Sequence, residues 1–243
     1  MTSTLDPLSL VRPLLPANDE LTDTIQRHSS DWKSNAAMHA LVDDYTRYHE
    51  VLVAVGGIFV TALAALSFVC WRRFRAAPRN KGRAERRLYG LLAAILTFAG
   101  LAMGLIVAAN LSTAVEPMPG FLIASEHPTP NSLAVDGAVI DWVQSGSSGV
   151  PSVVDGKVDE RLAWQLPKAI ICGLLLIAFT VIAVRLGRSI IRRARADEPF
   201  VGPQRQLVGQ LAATCAALLM MVMFVANLQG SLAPLTITVL GGS

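Results

Sequence analysis

The sequence predicts an all-α integral membrane protein: four transmembrane helices in two hairpins, with a small mixed extracytoplasmic cap. Three observations carry this prediction. The chain is 52% hydrophobic with mean hydropathy +0.46, too apolar for an ordinary soluble domain of 243 residues. The apolar residues are gathered into four runs of membrane length. Charge is sorted between those runs, with acidic segments alternating with basic ones.

Segment 1–50 holds four basic residues (Arg12, Arg27, Lys33 and Arg47) against eight acidic ones. It is assigned as an extracytoplasmic segment. No basic stretch precedes an apolar core near its start, so a standard secretory signal is not expected. Residues 1–18 contain three prolines, and Leu8, Leu10, Leu14 and Leu15 are expected to lie on the membrane surface or the cap. Met38, Leu41, Val42, Tyr45 and Tyr48 recur at spacings of three and four. That places them on one face of an amphipathic helix. No Pro or Gly separates this face from Val51, so one helix is predicted from about Ser34 through the first span.

Hairpin 1 covers 51–111. Its first span, 51–71, rises about 32 Å, enough to cross a hydrocarbon core of about 30 Å. Trp71 is its inner aromatic anchor. The loop 72–87 contains eight Lys/Arg, among them Arg72, Arg73, Arg75, Arg86 and Arg87, and one Glu. A loop of that density stays cytoplasmic and can meet anionic headgroups. The second span, about 88–110, carries Gly100, Gly104 and Ala108; the first carries Gly57, Thr61 and Ala65. Both are small-residue ridges suited to helix packing, within this chain or across a dimer.

Segment 112–162 is acidic and forms the extracytoplasmic loop of the cap. Pro117, Pro119, Pro128 and Pro130 argue against a long helix in its first part. A short helix is expected over Asn131–Gln144, a flexible turn over 145–149, and a tight hairpin turn at Asp155-Gly156.

Hairpin 2 covers 163–229. Trp164 marks the outer end of the third span, and Pro167 is placed in its first turn, where proline is tolerated. Arg185, Arg188, Arg192, Arg193 and Arg195 carry the helix into a second basic loop, 185–206. The fourth span, about 207–228, has the ridge Gly209, Ala213, Ala217. The tail 230–243 is extracytoplasmic, with a short strand expected over Leu235–Leu240 from its β-branched alternation.

The two hairpins echo each other, which raises a parallel tandem repeat. Span two begins Leu88-Tyr89-Gly90-Leu91-Leu92-Ala93-Ala94, and span four begins Leu207-Val208-Gly209-Gln210-Leu211-Ala212-Ala213. Each ends in an Asn-Leu pair, Asn110-Leu111 and Asn227-Leu228. In this topology both termini are extracytoplasmic. Arginine outnumbers lysine seventeen to four, a bias of GC-rich bacterial genomes, so the bacterial cytoplasmic membrane is the expected location.

The chemistry-bearing residues are sparse. No ionisable side chain is placed at mid-depth in a span, which argues against proton-coupled transport. No nucleophile, dinucleotide, Walker or zinc-protease motif occurs, so an enzyme is not expected, nor any cofactor. Cys70, Cys172 and Cys215 all lie inside apolar runs and read as small apolar residues. The basic pI follows from topology and gives no reason to expect a nucleic-acid partner. His39 and Asp43 stand four apart on the predicted outer helix, with His49 nearby. They are the weak metal-ligand candidates against a solvated helix face. Asn110 and Asn227 could bond to each other or cap their spans. The leading functional expectation is a non-enzymatic accessory or scaffold subunit that contacts other membrane or envelope proteins. Two alternatives stand beside it: a self-associating pore or phage-related defence protein, and an outer-face ligand or metal sensor.

Overall fold

The computed structural model describes residues 16–77, 83–126, 132–195 and 203–240. Eight helices follow in chain order: α1 Pro16–Arg27, α2 Ala36–Ala76, α3 Arg83–Val115, α4 Pro117–Ser125, α5 Leu133–Ser145, α6 Ser152–Arg195, α7 Pro203–Leu232 and α8 Pro234–Val239. No strand occurs among the described residues. Four helices (α2, α3, α6 and α7) are long and apolar enough to cross a membrane, with mean hydropathy between 2.2 and 2.6 over 18 residues. The chain therefore has the make-up of a multi-pass membrane protein. It divides into two compact units. One comprises Met1–Glu50, Leu111–Gln165 and Gly230–Ser243; the other comprises Val51–Asn110 and Leu166–Gln229.

The first unit has a closed apolar core drawn from three separated stretches of chain. Leu21 and Ile25 of α1, Met38, Leu41, Val42 and Tyr45 of α2, Phe121 of α4, Val139, Trp142 and Val143 of α5, Val154 of α6 and Val239 of α8 are all buried in it. The spacing that predicts an amphipathic face on α2 thus produces one, and α2 runs unbroken from Ala36, as expected. Asn35 caps the start of α2, its Oδ1 accepting the Met38 N–H at 3.0 Å. The same side chain donates Nδ2 to the Val143 carbonyl at 2.8 Å, near the end of α5. Gly146 closes α5 at φ 63°, its N–H donating to the Trp142 and Val143 carbonyls. The Trp142 indole then holds the following turn by donating to the Ser147 carbonyl at 2.9 Å. α1 is tied down where the Thr22 hydroxyl donates to the Ser125 carbonyl at 2.7 Å.

Three expectations are corrected here. The first unit, expected to be mixed, is helical among the described residues. The tail stretch expected as a strand forms α8, with Pro234 in its first turn and the Thr238 hydroxyl returned to the Pro234 carbonyl at 2.7 Å. A lone strand would leave its backbone groups unpaired in this buried position, whereas a helix satisfies them internally and overrides β propensity. Asp155-Gly156 is no hairpin turn, since α6 passes straight through it. Val154 and Val158 are buried four residues apart, a helical spacing, and Asp155 lies in the first turn where the helix dipole favours a carboxylate. Pro167 lies inside α6, which begins at Ser152. The ring removes the N–H that the Ala163 carbonyl would otherwise receive. The short helix expected over Asn131–Gln144 is α5; Asn131 itself, residues 1–15 and loop residues 78–82 and 196–202 lie outside the described residues.

The second unit packs four apolar helical stretches around a slender interior. Leu63, Leu96, Met103 and Met221 are buried, with Phe59, Val107, Leu176 and Leu218 against them. Phe59 and Phe224 meet edge-on at 6.5 Å. Most large apolar side chains point outward instead: Ile58, Phe68, Phe98, Leu105, Leu174 and Ile177 are all exposed. Such a surface is costly in water and suits hydrocarbon.

Candidate functional site

In the first unit the helical stack places polar groups at only a few buried points. Asp44 lies on the α2 face just beside the apolar row and is nearly buried. Its Oδ2 accepts the Thr236 N–H at 2.7 Å and the Thr236 hydroxyl at 2.9 Å. Burial raises the Asp44 carboxyl above its ordinary pKa, and the two Thr236 hydrogen bonds oppose that rise. This is a tertiary cap on α8, built from residues far apart in sequence. Nothing in a one-dimensional pattern distinguishes Asp44 from its solvated neighbour Asp43.

The metal-ligand candidates lie on the same helix. His39 Nδ1 and Asp43 Oδ2 are 2.9 Å apart, and both side chains are about half exposed (50% and 56%). Trp32 lies against the His39 ring at 5.8 Å, and Lys33 stands over Trp32 at 5.5 Å. His49 packs instead with Tyr45 and Tyr48, at ring separations of 4.6 and 5.4 Å. Among the described residues no group of three His, Cys, Asp or Glu side chains could hold a metal. The i, i+4 geometry brings His39 to Asp43 and leaves His49 elsewhere. The pair has the form of an exposed helix-surface contact.

In the second unit the small-residue ridges fall into two groups. A Cβ on Gly57 or on Gly104 would have no atom within 4 Å. Thr61, Ala65 and Ala108 are exposed. Gly100 and Gly209 lie against side chains, Leu63 and Leu186, at 3.6 and 3.7 Å from where their Cβ would stand; Ala213 is buried and Ala217 half-buried. Of the glycines on α2 and α3, Gly56 has the least room, since a Cβ there would stand 2.8 Å from Val107. The small-residue spacing singles out Gly57, with Thr61 and Ala65, whereas Gly56 has Leu52 and Val60 at the same steps.

A polar cluster of this unit lies between α2 and α3, toward the end of α2 and the start of α3. The Thr97 hydroxyl donates to the Ala93 carbonyl at 2.7 Å, lies 2.7 Å from the Ser67 hydroxyl and accepts the Trp71 indole N–H at 3.1 Å. Trp71 meets Phe74 edge-on at 5.6 Å, and Arg86 lies over the Phe74 ring at 4.8 Å. Gly90 makes room for this ring, which lies 3.1 Å from where its Cβ would be. Beside the cluster a crevice of about 440 Å³ runs along α2 and α3. Arg72, Arg73, Arg75 and Arg87 are exposed, as are Arg188, Arg192 and Arg193. Arg185, Arg188 and Arg192 line a second cleft of about 550 Å³ on α6. Gln210 is buried on α7 facing Gly187, its Nε2 donating to the Thr214 hydroxyl at 3.3 Å. Asn110 and Asn227 each donate Nδ2 to the carbonyl four residues earlier, Ile106 and Met223, both at 2.7 Å. Both bonds lie within their helices, which run on to Val115 and Leu232.

No protein-family model, curated protein or solved structure matches the chain.

Proposed function

We propose that the protein is a non-enzymatic accessory or scaffold subunit of the bacterial cytoplasmic membrane, holding another membrane or envelope protein through its spans and its helical extramembrane unit. The observation that carries this reading is the uncovered ridge Gly57–Thr61–Ala65. Its glycine has no neighbour within 4 Å of a Cβ position, and its other two members are exposed. Within lipid, apolar surface alone gives little reason for helices to associate; small residues that allow close backbone approach do. The ridge is therefore suited to a helix from outside this chain. Gly104 and Ala108 present a second uncovered pair on α3.

The orientation belongs to the same proposal. The basic segments 72–87 and 185–206 are cytoplasmic, the acidic first unit is extracytoplasmic with both termini, and the four spans form two parallel hairpins. The matched Asn110 and Asn227 geometry supports reading those hairpins as a tandem repeat. Purification of tagged protein in mild detergent tests the function. The expected result is a stoichiometric membrane-protein partner that is lost in Gly57→Leu and Ala65→Leu. A single pure species, unchanged by both substitutions, would overturn it. If the copurified partner is a second copy and expression collapses a membrane-potential dye signal, the pore reading replaces the scaffold.

A further inference from the structure

We propose that the crevice between α2 and α3 is a specific site for one anionic phospholipid, its phosphate held at Arg75 and one acyl chain laid along the trough toward Val60. Both walls belong to the second unit. On α2 the lining residues Val60, Ala64, Phe68, Trp71 and Arg75 follow one another at steps of four, four, three and four. They make one continuous helix face. On α3 the opposite wall includes Gly100, whose missing side chain leaves the trough open beside Leu63.

The dimensions suit a lipid chain. From Trp71 to Val60 the helix rises about 16 Å, against about 15 Å for half of a hydrocarbon core. An acyl chain anchored at the interface thus ends where the trough does. The chemistry changes along the trough in the order a phospholipid requires. It is apolar over Val60, Ala64 and Phe68, carries hydroxyls at Ser67 and Thr97 near Trp71, and is cationic at Arg75. Trp71 is fixed by its bond to Thr97, so the interfacial wall is preformed. Among the described residues Arg75 makes no ion pair. A planar guanidinium at headgroup depth is suited to a phosphate, which it can bind through two parallel hydrogen bonds.

The site is tested on the full-length protein reconstituted in vesicles containing equal amounts of phosphatidylglycerol and phosphatidylcholine, then extracted for native mass spectrometry. One retained phosphatidylglycerol per protein is expected, in preference to phosphatidylcholine. Arg75→Gln should lower its retention about five-fold, and Arg193→Gln, outside the crevice, should leave it unchanged. Gly100→Phe, which fills the trough, should abolish retention; Ala64→Leu serves if that variant is not monodisperse. Equal retention of the two lipids, or equal losses in Arg75→Gln and Arg193→Gln, would overturn the site and leave only non-selective boundary lipid. So would undiminished retention in the trough-filling variant. The result does not depend on the partner proposed above, whose ridge variants are read by copurification.

Discussion

Asp44 and Thr236 are joined by two hydrogen bonds to one carboxylate oxygen, at 2.7 and 2.9 Å, across almost the full length of the chain. The pair fixes α8 onto α2 and closes the core over Val239. Asp44→Ala leaves the buried Thr236 N–H without its acceptor, at a cost of about 1–3 kcal/mol. Asp44→Asn keeps an acceptor oxygen and should cost less. The two also differ from wild type in pH dependence. Burial raises the folded-state pKa of Asp44, so the folded protein holds this proton more tightly than the unfolded chain. Stability at this site is therefore highest at low pH. It falls as pH rises from the ordinary carboxylate range to the raised value, and is flat above it. Thermal unfolding in detergent across that window should show this slope in wild type and its loss in Asp44→Asn. An identical slope in both would rule Asp44 out as its source.

Asn35 joins two helix ends through one side chain, accepting from Met38 at the start of α2 and donating to Val143 at the end of α5. Asn35→Ala removes both bonds and should cost about 1–2 kcal/mol. Asn35→Asp keeps the acceptor for Met38 but sets a carboxylate against the Val143 carbonyl. It should therefore fail to restore wild-type stability, and Asn35→Ser, a good cap without the long donor, should recover only part of the loss. Urea unfolding followed by tryptophan fluorescence, in a background that keeps Trp142 and replaces Trp32, Trp71 and Trp164 by Phe, reads the core these helices enclose. Full recovery by Asn35→Ser would show that the bond to Val143 contributes nothing.

The long apolar runs and the Met38–Tyr45 face were legible because each depends on a period within one helix. Four membrane-length helices and the entry of α2 into its span follow from that period alone. The failures have a common physical origin. α8 is not legible from its β-branched residues alone, because the buried acceptor that meets its first turn, Asp44, comes from a distant segment. Asp155-Gly156 carries a local turn signal that the i, i+4 burial of Val154 and Val158 overrides. For the candidate sites the sequence could supply residue type but not rotation about the helix axis. Gly56 faces Val107 while Gly57 faces open space, and a shift of one residue turns a helix face by about 100°. The Ser67–Thr97–Trp71 cluster joins two helices, and no spacing within either reveals it.

Gly156 offers a direct discrimination between helix and turn. A Cβ there would meet nothing within 4 Å, and Gly146 is the positive-φ glycine among the described residues. Gly156→Ala should therefore stabilise the first unit by about 0.5–1 kcal/mol, the usual gain of alanine over glycine in a helix interior. In a tight hairpin turn the same change would be destabilising, because alanine resists positive φ. Gly120→Ala should act in the opposite sense. Its Cβ would stand 2.9 Å from Thr113 and 3.0 Å from the Tyr45 hydroxyl, so a packed neighbour must move, costing about 1–3 kcal/mol. A drop in melting temperature for Gly156→Ala would contradict the continuous helix.

Thr97 is the hub of the polar cluster between α2 and α3. Its one proton goes to the Ala93 carbonyl, so it acts as acceptor for Trp71, and the Ser67 hydroxyl is free to donate to it. Thr97→Val preserves shape and removes both acceptor contacts. Interhelical hydrogen bonds within membranes are worth about 0.6–1.7 kcal/mol, so a loss of that order is expected. The sharper measurement is a double-mutant cycle with Trp71→Phe, which keeps an aromatic ring beside Phe74 but deletes the indole N–H. If Trp71 is held through Thr97, the second substitution costs less once the first has been made, and the two losses fall short of additivity. Strict additivity in unfolding from mixed micelles would mean that the two residues act separately.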